Sequence, residues 1–205
     1  RTMRALNVFP VTVYQDKIEH NDYLKRKLIP GIIDSLPELE IPDSWATDNL
    51  FTSFDGEPKG KEVVKKHEQL IKQECSNAIN SFFDRPTVFE ISDDVWYNYY
   101  TEGSYQELHD HIASPFNPFH FSCILYLSYD HRVHTPAEFR DPIAQLRPHS
   151  IVFDSDFVSE YFVPRVREGD LLMFPTYLQH RIIPQKVSDI PRITLSFNLK
   201  ILRYG

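Results

Sequence analysis

The stretch "YQELHDHI" (105–112) places two histidines around one aspartate. Side chains on a regular strand alternate between faces, so Tyr105, Glu107, His109 and His111 point one way and Gln106, Leu108 and Asp110 the other. Two imidazoles on one face can grip one ion, which makes His109 and His111 the natural chelating pair. Asp110 can join His109 only if the backbone bends or bulges there. The third ligand must come from elsewhere. "EGDLLMFPTYLQHRIIP" (168–184) offers His180, flanked by Leu178 and Ile182 on its own face, a setting that looks into a barrel rather than at solvent. Most of the nine histidines are incidental: His20, His67, His131, His134 and His149 sit in polar or helical surroundings. A His-x-His pair alone is a weak sign of metal and gains weight only from its company.

That company is "RITLSFNLKI" (192–201), which alternates cleanly. Arg192, Thr194, Ser196, Asn198 and Lys200 share one face, and Ile193, Leu195, Phe197, Leu199 and Ile201 the other. The apolar face suits a hydrophobic layer. The polar face can line a cavity, where Arg192 offers a planar fork and Thr194 a hydroxyl, a pair suited to a carboxylate. The bland alternative is an outer strand with a solvated polar face.

These residues need a scaffold. "ALNVFPVTVY" (5–14) reads as a strand. "NDYLKRKLIPGIIDSL" (21–36) reads as a helix capped by Asn21 or Asp22, with Pro30 kinking or ending it. Residues 37–57 read mainly as loop. A second helix is expected from about Lys61 to Phe83, because Val64, His67, Leu70, Ile71, Cys75, Ala78, Ile79 and Phe82 recur at helical spacing. After Pro86 short β-rich runs follow: "TVFEIS", "VWYNYY", "YQELHDH", "FSCILYLSY", "SIVF", "YFVPRV", "DLLMFP", "LQHRII" and "RITLSFNLKI". Turn residues at Asp93–Asp94, Glu102–Gly103, Glu168–Gly169 and Pro184 separate them. Many short, regularly punctuated strands predict a sandwich or barrel, here with helices packed outside it. The expected organisation is a single domain over 1–205: a strand and helical support in 1–86, and a β core in 87–205 with a loop-rich insertion at 128–165.

Bulk properties narrow the classes. The 205 residues are 41% hydrophobic and 25% charged, ordinary for a globular chain. A formal net charge of −7 argues against a nonspecific grip on nucleic acid or anionic lipid. No apolar run approaches the roughly 20 residues of a membrane-spanning helix, and the opening "RTMRALNVFP" lacks a signal peptide's apolar core. Two cysteines, Cys75 and Cys123, make no disulfide framework and favour a reducing cytoplasm.

Taken together, the blocks resemble the iron(II)- and 2-oxoglutarate-dependent oxygenases, and within them small phage and bacterial oxygenases related to prolyl hydroxylases. The resemblance covers roughly residues 94 to 200. It is carried by Trp96 and Asn98, Gly103, Tyr105–Gln106, His109-x-His111, Ser122 through Leu127, Gly169 through Pro184, and Arg192 through Asn198. It implies a mainly β fold with supporting helices, a double-stranded β-helix of the jelly-roll, cupin-like kind. It further implies Fe(II) held by His109, His111 and His180, with no other catalytic side chain. Arg192, helped by Thr194, would bind the far carboxylate of 2-oxoglutarate. Tyr126 matches a tyrosine that bonds the same carboxylate, and Asn98 either contacts cosubstrate or substrate or holds a backbone turn. The implied reaction hydroxylates a small molecule or a prolyl or other amino-acid residue of a peptide, releasing succinate and CO2. One departure stands out. The usual site is two histidines and a carboxylate, so Asp110 remains the alternative ligand. Residues 112–121, with His120, form a longer link than usual and are expected near substrate access. The aromatics Tyr97, Tyr99, Tyr100, Phe116 and Phe119 are expected at the mouth. The competing readings are a non-catalytic cupin-like metal- or ligand-binding module and a three-histidine dioxygenase that uses no oxo acid.

Overall fold

The computed structural model describes residues 11–39, 45, 47, 49–54, 58–112, 118–143, 160–186 and 188–205. Among them the chain runs β1 (Tyr14–Lys17), α1 (Asn21–Ser35), a 3₁₀ turn (Leu36–Glu38), β2 (Leu50–Thr52), α2 (Pro58–Lys65), α3 (Glu68–Ser81), β3 (Thr87–Tyr100), β4 (Gln106–His109), β5 (Phe121–Ser128), β6 (Ala137–Arg140), β7 (Tyr161–Phe162), β8 (Asp170–Pro175), β9 (His180–Ile182) and β10 (Arg192–Tyr204). No helix among them is long and apolar enough to cross a membrane.

Side-chain alternation builds two layers. Six strands form a sheet in the order β1-β8-β5-β10-β3-β2, and four form a smaller one in the order β4-β9-β6-β7. All pairings are antiparallel. The odd-numbered residues of the central strands (Cys123, Leu125 and Leu127 of β5; Leu171 and Met173 of β8; Ile193, Leu195, Phe197 and Leu199 of β10) pack against Leu24, Leu28 and Ile32 of α1 and Ile71, Cys75 and Ile79 of α3. The even-numbered residues Ile124, Tyr126, Leu172 and Phe174 turn the other way and join Ala137, Phe139 and Ile182 of the smaller sheet in a second core. Helices therefore support one face of the large sheet, and the other face, with the small sheet, encloses the barrel interior.

Several elements differ from expectation. Residues 5–10 of the first expected strand lie outside the described residues, and the strand observed, β1, begins only at Tyr14. Neither Asn21 nor Asp22 caps α1. His20 stands at the cap, and the Asn21 amide donates instead to the Leu127 carbonyl, tying the helix to β5. Pro30 does not end α1, which runs on to Ser35; burial of Leu24, Leu28 and Ile32 outweighs the one backbone hydrogen bond that proline forfeits. The helix expected over 61–83 is two helices broken at Lys66–His67, with His67 in a non-helical conformation at the cap of α3. No proline or glycine marks that break. "TVFEIS" and "VWYNYY" are one strand, not two. Asp93–Asp94 is a bulge rather than a turn, because the β10–β3 register jumps from Phe197↔Val95 to Leu199↔Ile91. The insertion at 128–165 is not only loop: it contributes β6 and β7 to the small sheet. "SIVF" (150–153) lies outside the described residues.

Candidate active site

Strands β4 and β9 pair antiparallel with His109 directly opposite His180. The chain bends just past β4, and the His111 amide donates to the Thr176 carbonyl at 2.9 Å, which holds the third ring beside the other two. Ring centroids lie 4.3 Å (His109–His180), 5.2 Å (His111–His180) and 5.5 Å (His109–His111) apart. One ligating atom from each falls within 4.8 Å of the others, the scale on which three nitrogens share one ion. Asp110 is not in this group. It is exposed, and its carboxylate accepts the Ile112 amide at 3.0 Å in a local turn.

The outer nitrogen of each ring is engaged. His109 Nδ1 donates to the Glu107 carbonyl at 2.8 Å and His180 Nδ1 to the Leu178 carbonyl at 3.1 Å. His111 Nδ1 lies 2.9 Å from Asn198 Oδ1 and 2.8 Å from Ser122 Oγ. A carbonyl oxygen can only accept, so Nδ1 carries the proton and Nε2 keeps the lone pair that a metal needs. Burial lowers all three pKa values from the ordinary 6.5, His111 to about 4 and the fully buried His180 well below its usual range. The rings are thus neutral at pH 7, the state in which imidazole ligates. The donor set fits one divalent metal ion.

The histidines open on a cavity whose opposite wall is β10 and β3. Three cross-strand pairs form it: Arg192–Tyr100, Thr194–Asn98 and Ser196–Trp96. Arg192 is 1% exposed. Its Nε donates to the Thr135 carbonyl at 3.1 Å, and its guanidinium lies 3.9 Å above the Tyr100 ring. Both terminal nitrogens, Nη1 and Nη2, are buried with no hydrogen-bond partner among the described residues. A buried cation with an empty fork is costly, and it is the arrangement that a carboxylate would satisfy with two parallel hydrogen bonds. Thr194 and Asn98, each 2% exposed, line the same cavity, and Asn98 Oδ1 has no hydrogen-bond partner among the described residues.

Tyr126 sits one layer back. It is fully buried, its hydroxyl oxygen accepts the Ala137 amide at 2.9 Å, and its ring is 5.8 Å from the Arg192 guanidinium. Tyr97 and Tyr99 are not at the mouth: Tyr97 is fully buried with its hydroxyl bonded to Ser35 in the helix layer, and Tyr99 packs edge-on to Phe51. Tyr100 does line the cavity, and Phe116 lies outside the described residues. His120 is engaged in the sheet, where its Nδ1 accepts the Ile201 amide at 3.0 Å.

Sequence reasoning missed Tyr100 as the plate under Arg192, Thr135 as its anchor, and β6, whose Phe139 lies opposite His180. The signal for β6 was the alternation of "AEFR", Ala137 and Phe139 inward and Glu138 and Arg140 outward. For Thr135 there was none.

Comparison with known proteins agrees with this geometry. The family described as "Putative 2OG-Fe(II) oxygenase" matches residues 94–198, just over half of the chain. A search of curated proteins found no match. Among solved structures, a prolyl-4-hydroxylase from Pseudomonas putida is similar at 16% identity, covering 95% of this chain and 94% of its own, with a TM-score of 0.57. HygX from Streptomyces hygroscopicus, solved with nickel, 2-oxoglutarate and hygromycin B, is similar at 11% identity, covering 95% and 85%, with a TM-score of 0.51. At such identities the likeness concerns the fold, the double-stranded β-helix. The chain belongs to the 2OG-Fe(II) oxygenase family, oxidoreductases that use Fe(II) and 2-oxoglutarate.

Proposed function

We propose that the protein hydroxylates a carbon of a small molecule or of an amino-acid residue in a peptide, converting 2-oxoglutarate and dioxygen to succinate and CO2. His109, His111 and His180 would hold Fe(II) through Nε2. When bound, the iron supplies dioxygen activation coupled to decarboxylation of the oxo acid. The chain's own residues do the rest. Arg192 binds the far carboxylate of 2-oxoglutarate, its plane fixed between the Thr135 carbonyl and the Tyr100 ring. Thr194 adds a hydroxyl on the same face, and Asn98 contributes an amide to cosubstrate or substrate. Tyr126 keeps a hydroxyl proton with no acceptor among the described residues and is a second donor toward that carboxylate. Trp96, Ile124 and Ile182 give the cavity apolar walls that limit water. Two buried free thiols, Cys75 and Cys123, fit a reducing compartment such as the cytoplasm.

The observation that carries this reading is the empty Arg192 fork opening on the same cavity as three neutral imidazoles. A dioxygenase without an oxo acid leaves that buried cation without a purpose, and a non-catalytic binding module is told apart by turnover. A prolyl residue is a reasonable first substrate to try, by analogy with the Pseudomonas putida neighbour. The decisive measurement is uncoupled turnover: protein, Fe(II), ascorbate and 2-oxoglutarate should release succinate with no substrate added. Absence of succinate, or oxygen uptake independent of 2-oxoglutarate, would reject the proposal. Screening peptides and metabolites for coupled oxygen uptake then identifies the substrate.

A further inference from the structure

Ser122 and Asn198 sit in two of the most distinctive sequence blocks, yet neither lines the cavity. They face each other across the β10–β5 ladder. Ser122 is fully buried, and its hydroxyl donates to Asn198 Oδ1 at 2.9 Å. Both reach His111 Nδ1, so three side chains from separate parts of the chain close a triangle.

We propose that Asn198, supported by Ser122, is the positioning residue that makes His111 a metal ligand. This rests on the reading of His111 as a ligand. The other two histidines donate Nδ1 to a carbonyl two residues back in their own chain. His111 lies past the end of β4 and takes its orientation instead from a strand 87 residues away. The need is chemical. A carboxylate can bind a metal through either oxygen, but an imidazole at the second position of the His-x-His pair ligates through one nitrogen only if its tautomer and rotation are set. Asn198 Oδ1 has lone pairs and no proton. It accepts from Nδ1–H and from the Ser122 hydroxyl together, which leaves the Nε2 lone pair toward His109 and His180. Ser122 uses its proton on Asn198, so its oxygen is left to share the same Nδ1–H.

The backbone is shaped for this. Asn198 lies opposite the bulge at 92–94 of β3, where the regular ladder is interrupted. There the Ser92 hydroxyl accepts the Asn198 amide at 3.1 Å and donates to the Asp94 carbonyl at 3.0 Å. The exposed pair Asp93–Asp94 thus marks a device that seats Asn198.

The test uses the metal-free protein of this sequence and anaerobic Co(II) as the probe. Wild type, N198A, N198D, S122A and H111A are titrated, and long-range 1H–15N spectra report the His111 tautomer without metal. The expected results are an Nδ1–H tautomer for His111 in wild type, its loss in N198A, and Co(II) binding weakened 10- to 100-fold in N198A. N198D keeps the acceptor in the same shape and should restore the affinity to within a few-fold. S122A should fall between wild type and N198A. An Nε2–H tautomer in wild type, unchanged Co(II) affinity in N198A, or a defect that N198D fails to restore each overturns the positioning role while leaving the ligand set intact. Unchanged Co(II) binding in H111A overturns the ligand reading, and the positioning role with it.

Discussion

Arg192 carries a full charge where almost no solvent reaches it, and its terminal nitrogens await an acceptor. Replacing it with alanine should remove a charge-assisted pair worth about 1.5–3 kcal/mol, weakening 2-oxoglutarate binding by roughly one to two orders of magnitude. Arg192→Lys should rescue little, since an ammonium cannot reproduce the fork. Equilibrium binding to the metal-loaded protein checks both, and unchanged affinity in the alanine variant would remove Arg192 from the site. His180, 3% exposed and opposite His109, is the second residue to test. His180→Ala should abolish both stoichiometric Co(II) binding and succinate release. Tyr100→Leu should lose a stacking contact of about 1–2 kcal/mol under the guanidinium and raise the KM for 2-oxoglutarate several-fold, with a smaller change in kcat. The alternation of "RITLSFNLKI" made the direction of Arg192 legible in the sequence. Its partners were not, because Thr135 and Tyr100 meet it only through folding, from 57 and 92 residues away.

At the level of elements, the buried strands with strict alternation were legible, and so was α1. What failed was punctuation. Asp93–Asp94 reads as a turn in composition, yet β3 continues through it because Ser92 and the Asn198 amide close the bulge. The α2–α3 break was invisible, since His67 continues the apolar stripe while its backbone leaves the helix. The four-residue alternation of "AEFR" is too short to mark a strand by itself, and β6 exists because β9 and β7 flank it. Pro30 is the converse case, a strong helix breaker overruled by burial. Pro30→Ala should therefore stabilise the protein by about 1–3 kcal/mol by restoring a hydrogen bond within α1. Chemical denaturation checks this, and a lower midpoint would mean that the proline is favoured by its surroundings.

For the molecule as a whole, burial lowers the pKa of five histidines among the described residues of the metal-free protein: His67, His109, His111, His134 and His180. An unfolded chain protonates them near 6.5, while folded His111 waits until about 4. Between those values the unfolded state binds more protons, so stability falls as pH falls, by up to about 1.4 kcal/mol per pH unit for each group held neutral. The metal-free Tm should thus drop steadily from pH 7 to pH 5, and a flat or rising profile would contradict the assignment. A bound metal at 100 times its Kd should add about 2.7 kcal/mol and be reversed by a chelator. One consequence reaches beyond single substitutions. Ile193, Leu195, Phe197 and Leu199 of β10 face the helices while Arg192, Thr194 and Ser196 furnish the cavity, so the strand is read in a frame of two. Inserting or deleting one residue between 192 and 199 would send the guanidinium into the helix layer and leucines into the pocket. Length variation can be absorbed only nearer the C-terminal end, beyond Ile201, where pairing with β3 is already irregular and the side chains reach solvent.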